Sequence, residues 1–322
     1  MRLGLYLDFR NTPSRPRPWA DHYAQWLQRV VDAEAAGADA VWLTEHHFFD
    51  DGYLPQPWLM AAAIAARTTR VRIGTAVSLL TLRPALETAE QVALVDAMSG
   101  GRVEAGFGVG YRKAEYQAFH GEFKRRYAVF EERIGELRQH LGEQPGDLPV
   151  VTPGPVQRPV PLWAGFAGPR GARLAGRLGM ALQILDRRLL ESYQEGLAAG
   201  GHDATTARVG GHIDFLLADD PEKAWAIARP HIVERWNSYD RHTFAGTGHA
   251  PPEPATGEDW LDTGRYVVGT PEQVASVIRT RTSGLPVTDL WCWADQPGLD
   301  DDLVDRHLEL MFTELKPLLA ED

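Results

Sequence analysis

Ala40-Val-Trp-Leu-Thr44, running directly into Glu45-His-His-Phe48, decides how the rest of the chain is read. Five uncharged residues in a row suit a strand buried on both faces, as in a parallel sheet. The ionisable residues at its carboxyl end suit the rim where such sheets carry their chemistry. Upstream, Tyr23, Leu27, Val30 and Val31 recur at helical spacing within residues 21–36, and Gly37 ends that run. The same alternation of short apolar run and longer amphipathic segment extends in both directions. Strand-like runs occupy residues 3–7, 71–78, 103–109, 161–165, 181–185, 212–217 and 289–293. Helices are expected over 86–98, 126–141 and 169–178, from about 221, from Thr270 with its Thr-Pro-Glu-Gln273 capping box, and from about 301. Eight such strands, most followed by a helix, predict an α/β fold of the (β/α)8 TIM-barrel type with insertion loops, in preference to an open doubly wound sheet. The whole of 1–322 reads as one domain. Two segments exceed the minimal unit: a Pro/Gly-rich loop over 142–159, and residues 237–265, whose Gly, Pro and Thr content suggests a lid or surface insertion.

Composition narrows the functional classes. With 322 residues, 44% of them hydrophobic, the chain can bury a large core unaided. Its one cysteine, Cys292, excludes an internal disulfide framework and a Cys-built metal site, which fits a cytoplasmic location. Forty-four acidic against 33 basic residues give a formal charge of −11, which argues against nucleic acid or an anionic membrane as partner. Residues 1–7 form a strand-like run and not a signal peptide, and the charge-free stretch 52–66 is too short and too interrupted by proline to span a bilayer.

Chemistry is expected at the strand ends. Glu45-His46-His47 is the most polar of them, and an imidazole there could serve as a general base. Spacing alone equally allows one structural histidine and one exposed one. Adjacent strand residues face opposite ways, so both histidines cannot easily bind one metal ion, and no metal ligand is assigned. Gly106-Phe-Gly-Val-Gly110 approaches a dinucleotide fingerprint, but the third glycine would fall at position 111, which is Tyr111. Its glycines read equally as close packing or as room for a flat ring. Gly165-Phe-Ala-Gly-Pro-Arg-Gly171 opens a helix, a possible phosphate cradle with Arg170 adding charge. Lys124-Arg-Arg126 is the strongest basic cluster.

Val41-Trp-Leu-Thr-Glu-His-His-Phe48 closely resembles the second-strand motif of the bacterial luciferase-like flavin-dependent monooxygenases. The likeness continues through Ile73-Gly-Thr-Ala-Val77, Asp96-Ala-Met-Ser-Gly-Gly-Arg102 and Gly106–Tyr111, and returns weakly at Val268-Gly-Thr-Pro-Glu272. The resemblance implies a (β/α)8 barrel, usually dimeric. Its members use reduced FMN from a separate flavin reductase and activate oxygen as a flavin C4a-peroxide to oxidise a small organic substrate. Mapped onto this chain, His46 would be catalytic and Ala76–Val77 would be a non-proline cis peptide under the flavin ring. Gly108, Val109 and Gly110 would lie beside the cofactor, and Ala167, Gly168, Arg170 and Gly171 would form its phosphate loop. Two family arginines are missing. The fourth strand ends in Gly108-Val109 where the luciferases have Cys-Arg, and a second phosphate arginine falls at Tyr127. Arg126 or Arg170 is therefore the candidate phosphate ligand. The departure also raises a second reading, hydride transfer with the deazaflavin F420, as in a related branch of the superfamily. A non-catalytic accessory subunit and a metal-dependent barrel hydrolase are the readings from other classes, and nothing in the sequence points to light emission.

Overall fold

The computed structural model describes residues 1–244, 252, 256 and 266–320. Eight parallel strands close into a barrel in the order β1 (Arg2–Leu7), β2 (Ala40–Leu43), β3 (Arg72–Thr75), β4 (Val103–Phe107), β5 (Leu162–Ala164), β6 (Ala181–Gln183), β7 (Val209–His212) and β10 (Val287–Trp293), which returns to β1. The expected TIM-barrel fold is thus the observed one. The helices around it are α1 (Trp19–Ala36), α2 (Pro57–Ala65), α3 (Ala85–Ser99), α4 (Lys113–Ala118), α5 (Arg126–His140), α6 (Pro169–Arg177), α7 (Leu190–Ala199), α8 (Pro221–Phe244), α9 (Pro271–Thr282) and α10 (Asp301–Leu310). The capping box expected at Thr270 is present, with Gln273 as its partner. Of residues 237–265, 237–244 form the end of α8, and nearly all of the remainder lies outside the described residues.

One strand assignment needs correcting. The apolar run at 212–217 is not the seventh barrel strand. Residues Asp214–Leu217 form β8, which leaves the barrel and pairs in parallel with β9 (Tyr266–Gly269). The barrel strand is Val209-Gly-Gly-His212, whose two glycines carry no apolar side chain to signal it. The reason lies in the barrel interior, where Trp42 stacks on Trp291 at 4.3 Å and meets Trp163 edge-on at 5.4 Å. A Cβ at Gly210 would come within 3.0–3.1 Å of the Trp291 and Trp163 rings, and one at Gly74 within 2.4 Å of Trp42. Three indoles fill the barrel only because the facing positions are empty.

Below the indoles, at the amino ends of the strands, a buried ionic plug closes the barrel. Glu104 accepts from the Trp163 indole at 2.7 Å and pairs with Arg2 and Arg72, while Arg2 also bonds Asp289. Among the described residues, the interior opens at the carboxyl ends. Arg102, from the Met-Ser-Gly-Gly-Arg stretch, is structural: its guanidinium donates to Ser99, Thr68, Val71 and Ala65, tying α3 to the end of α2.

Candidate active site

The carboxyl ends of the strands enclose a cavity of about 1210 Å³. Its floor is Ala76–Val77, joined by a cis peptide bond as the family likeness implies. The Tyr6 hydroxyl donates to the Ala76 carbonyl at 2.6 Å. Val77 fits because its neighbours lack side chains: a Cβ on Gly165 would lie 2.4 Å from it, and one on Gly108 2.5 Å. Packing thus explains Gly108, and a positive φ of 68° explains Gly110, which turns the chain beyond β4. Both still line the cavity with Val109.

His46 and His47, in the segment beyond β2, point apart. His47 turns out of the cavity and donates through Nε2 at 3.0 Å to Glu45, which also takes the Arg83 guanidinium, the Ser78 hydroxyl and the Leu79 N–H. Burial alone would raise the Glu45 carboxyl; those partners hold it below its ordinary range. This is a structural knot fixing the loop beyond the cis peptide. His46 lines the cavity. Its Nδ1 is 2.9 Å from Glu115 Oε1, and its Nε2 is 3.1 Å from the Tyr111 hydroxyl. Glu115 Oε1 also accepts from the His47 N–H and the Arg112 guanidinium, each at 3.0 Å. Burial pushes Glu115 up, but the His46 hydrogen bond and the charges around it prevail, so its carboxyl sits below the usual value. An ionised Glu115 can only accept, which assigns the proton to His46 Nδ1 and leaves Nε2 to receive from Tyr111. The result is a carboxylate–imidazole–phenol chain ending at the cavity, able to hold or pass one proton.

Of the other residues singled out from sequence, Ala76, Val77, Arg126 and Ala167 line the same cavity. Within the basic cluster only Arg126 turns inward; Arg125 pairs with Glu122 and Glu132 outside. Arg126 packs over the Phe123 ring at 4.3 Å and donates to the Phe123 carbonyl, and no carboxylate among the described residues pairs with it. Gly168, Arg170 and Gly171 do not line the cavity. Gly168 caps α6, whose first turn has no side-chain cap. Gly171 backs onto Phe166, where a Cβ would lie 2.5 Å away. Arg170 is exposed over the outer face of Tyr127, in a separate cleft with Arg173 and Arg177.

Glu115 and Tyr111 were not found from the sequence as site residues. Glu115 lies on a single short helix 69 positions from its partner, and nothing local marks it. Tyr111 stood out only as a missing glycine. His212 and Asp214, also at the cavity, were hidden by the misassigned strand. Among the described residues, no group of three or more His, Cys, Asp or Glu side chains gathers as it would round a metal ion, and no helix is long and apolar enough to cross a membrane.

A family model described as luciferase-like monooxygenase matches residues 1–287. The monooxygenase RslO1 from Streptomyces bottropensis shares the fold, with a TM-score of 0.84 at 23% identity over 98% of this chain and 99% of that one. So does the oxygenating constituent of 3,6-diketocamphane monooxygenase from Pseudomonas putida, a type II Baeyer-Villiger monooxygenase solved with FMN (TM-score 0.74, 19% identity, 99% and 98% covered). An F420-dependent glucose-6-phosphate dehydrogenase of Tsukamurella paurometabola is 31% identical, over 62% of this chain and 66% of its own length. With the family model spanning most of the barrel, this chain belongs to the luciferase-like monooxygenase family.

Proposed function

We propose that this protein is a two-component monooxygenase that takes reduced FMN from a separate flavin reductase and oxidises a small organic molecule. The observation that carries this reading is the pairing of a flat floor, Ala76–Val77, with a polar chain at His46 and an inward arginine, Arg126, that no carboxylate among the described residues pairs with. The residues present fit the cofactor. A cavity of about 1210 Å³ has room for a tricyclic ring and a second molecule. Arg126, lining the cavity with Ala167, would hold the phosphate, taking over from the arginine that Gly108-Val109 lack. Bound reduced flavin would supply oxygen activation. His46 would hold or move the proton exchanged with the substrate at Nε2, with Glu115 fixing its tautomer and Tyr111 sharing that proton. Phe166, Val109, Leu79 and Trp236 exclude water from the cavity walls.

The second half of α8 roofs the cavity through Trp236, Tyr239, Asp240 and Thr243. We assign it, with the segment following it, the role of a lid. Leu86, Leu94 and Met98 stand exposed four or eight residues apart on α3, beside exposed Leu59 on α2. That stripe supports a homodimer, testable by sedimentation.

Titration with FMN and with F420, each followed by fluorescence, tests the cofactor. FMN affinity should fall at least about tenfold in Arg126→Ala, the worth of one charge-assisted hydrogen bond. The missing strand-four arginine and the F420-dependent relative favour a second reading, hydride transfer with F420. Tighter binding of F420 than of FMN, without oxygen uptake on reduction, would replace the first reading by the second.

A further inference from the structure

One to three strands round the ring from β2, the cavity is bounded by Tyr6 on β1, Trp293 on β10 and His212 on β7, with Asp214 of β8 beside them. Tyr6 stacks on Trp293 at 4.0 Å and 29°, and on His212 at 5.7 Å and 25°. The three rings form a ledge. Asp214, with 9% of its surface exposed, lies next to that ledge. Its Oδ1 is 4.0 Å from His212 Nε2, beyond hydrogen-bond reach, and takes no hydrogen bond from any described residue. The buried Trp293 indole N–H meets the Asp214 carboxylate only weakly, outside ordinary hydrogen-bond geometry. Burial pushes the Asp214 carboxyl up from its ordinary range, against the pull of His212, Arg235 and Arg281 and of that weak hydrogen bond from Trp293.

This wall therefore holds an acceptor and a donor that satisfy each other only weakly, which is costly in a buried place unless a ligand engages both. A carbonyl or carboxylate oxygen can only accept, and an ammonium can only donate. A hydroxyl does both from a single atom. The ledge beside it favours a flat ring carrying that hydroxyl. We propose that Tyr6, His212, Asp214 and Trp293 form a subsite for a hydroxylated aromatic ring, so that the substrate is of the phenol class. The hydroxyl donates to Asp214 and accepts from the Trp293 indole or His212. This rests on the reading of the cavity as the substrate site of a flavin enzyme.

The test is calorimetric titration of the full cofactor-free chain with 2-naphthol and with 2-methoxynaphthalene, which differ by methylation of the one hydroxyl. The naphthol is expected to bind about tenfold tighter, as for one hydrogen bond to a carboxylate. Asp214→Ala should abolish the preference while leaving ether affinity unchanged. Asp214→Asn, which keeps a carbonyl acceptor in the same volume, should retain part of it and guards against a folding defect in the first variant. Equal affinities in the unmodified protein, no naphthol binding, or a full preference surviving in both variants overturns the subsite. FMN titration of the same samples separates the two readings. FMN binding without naphthol preference removes the subsite alone; naphthol preference with neither FMN nor F420 bound removes the cofactor reading alone.

Discussion

Replacing Glu115 tests the proton chain at its buried end. Glu115 Oε1 receives three N–H donors, from His46, His47 and Arg112, each of which belongs to a residue at most 8% exposed. Glu115→Ala orphans all three. A buried donor left without a partner costs about 1–3 kcal/mol, and breaking a buried ion pair about 3–5 kcal/mol. These contributions overlap in Arg112 and do not add, so the expected loss is about 4 kcal/mol. Glu115→Gln keeps an oxygen in nearly the same place and loses the charge, so it should cost about 1–2 kcal/mol. Urea unfolding followed by tryptophan fluorescence measures both. The functional half of the reasoning is read by nitrogen chemical shifts of the His46 imidazole. The unmodified protein should show one tautomer, protonated at Nδ1. Glu115→Gln, whose amide can donate as well as accept, should show a mixture. A loss below about 1 kcal/mol in Glu115→Ala, or a single Nδ1 tautomer persisting in Glu115→Gln, refutes the carboxylate's role in orienting His46.

Three further outcomes follow from the same structure. Arg102→Met leaves the Ser99, Val71, Ala65 and Thr68 carbonyls without their donor and should lower the unfolding free energy by at least about 4 kcal/mol in urea titration; a loss under about 1 would deny that this arginine ties α2 to α3. Gly165→Ala forces a methyl within 2.4 Å of Val77, so the melting temperature should drop by an amount equivalent to about 1–3 kcal/mol and FMN should bind more weakly, whereas an unchanged calorimetric melt would show that the floor yields freely. His307, fully buried, accepts from the Leu217 N–H through Nδ1, and burial pushes its pKa down to about 4 from an ordinary 6.5. A histidine depressed on folding carries its stability above the unfolded value and loses it as pH falls. Stability should therefore decline by about 3 kcal/mol between pH about 6.5 and 4, and a His307→Gln variant should show a flatter decline across that window.

The barrel was legible because parallel strands buried on both faces announce themselves as uninterrupted apolar runs, and Ala40–Leu43 and Leu162–Ala164 do so. It failed to show at Val209–His212, where the strand is half glycine because the indoles leave no room for a side chain at Gly210 and Leu185 leaves none at Gly211. The same contrast runs through the site. His46, the cis step at Ala76–Val77 and the small residues beyond β4 were named in advance, since each belongs to a contiguous motif. Arg126 was chosen over its basic neighbours only by position, and whether it or Arg170 faces inward depended on where Tyr127 places its ring between cavity and outer cleft.

By itself, then, the order of residues determined the fold class and, through a short motif shared with a known family, singled out His46 as a candidate. These are properties of local periodicity and of short contiguous motifs. Tertiary structure alone decided that His46 is backed by Glu115 and capped by Tyr111, that His47 is sequestered by Glu45, and that Asp214 lies beside a stacked Tyr6–Trp293 ledge. Apart from Glu45 and His47, such partners sit tens to hundreds of positions apart, and only closure of the barrel brings their side chains within hydrogen-bonding distance or van der Waals contact.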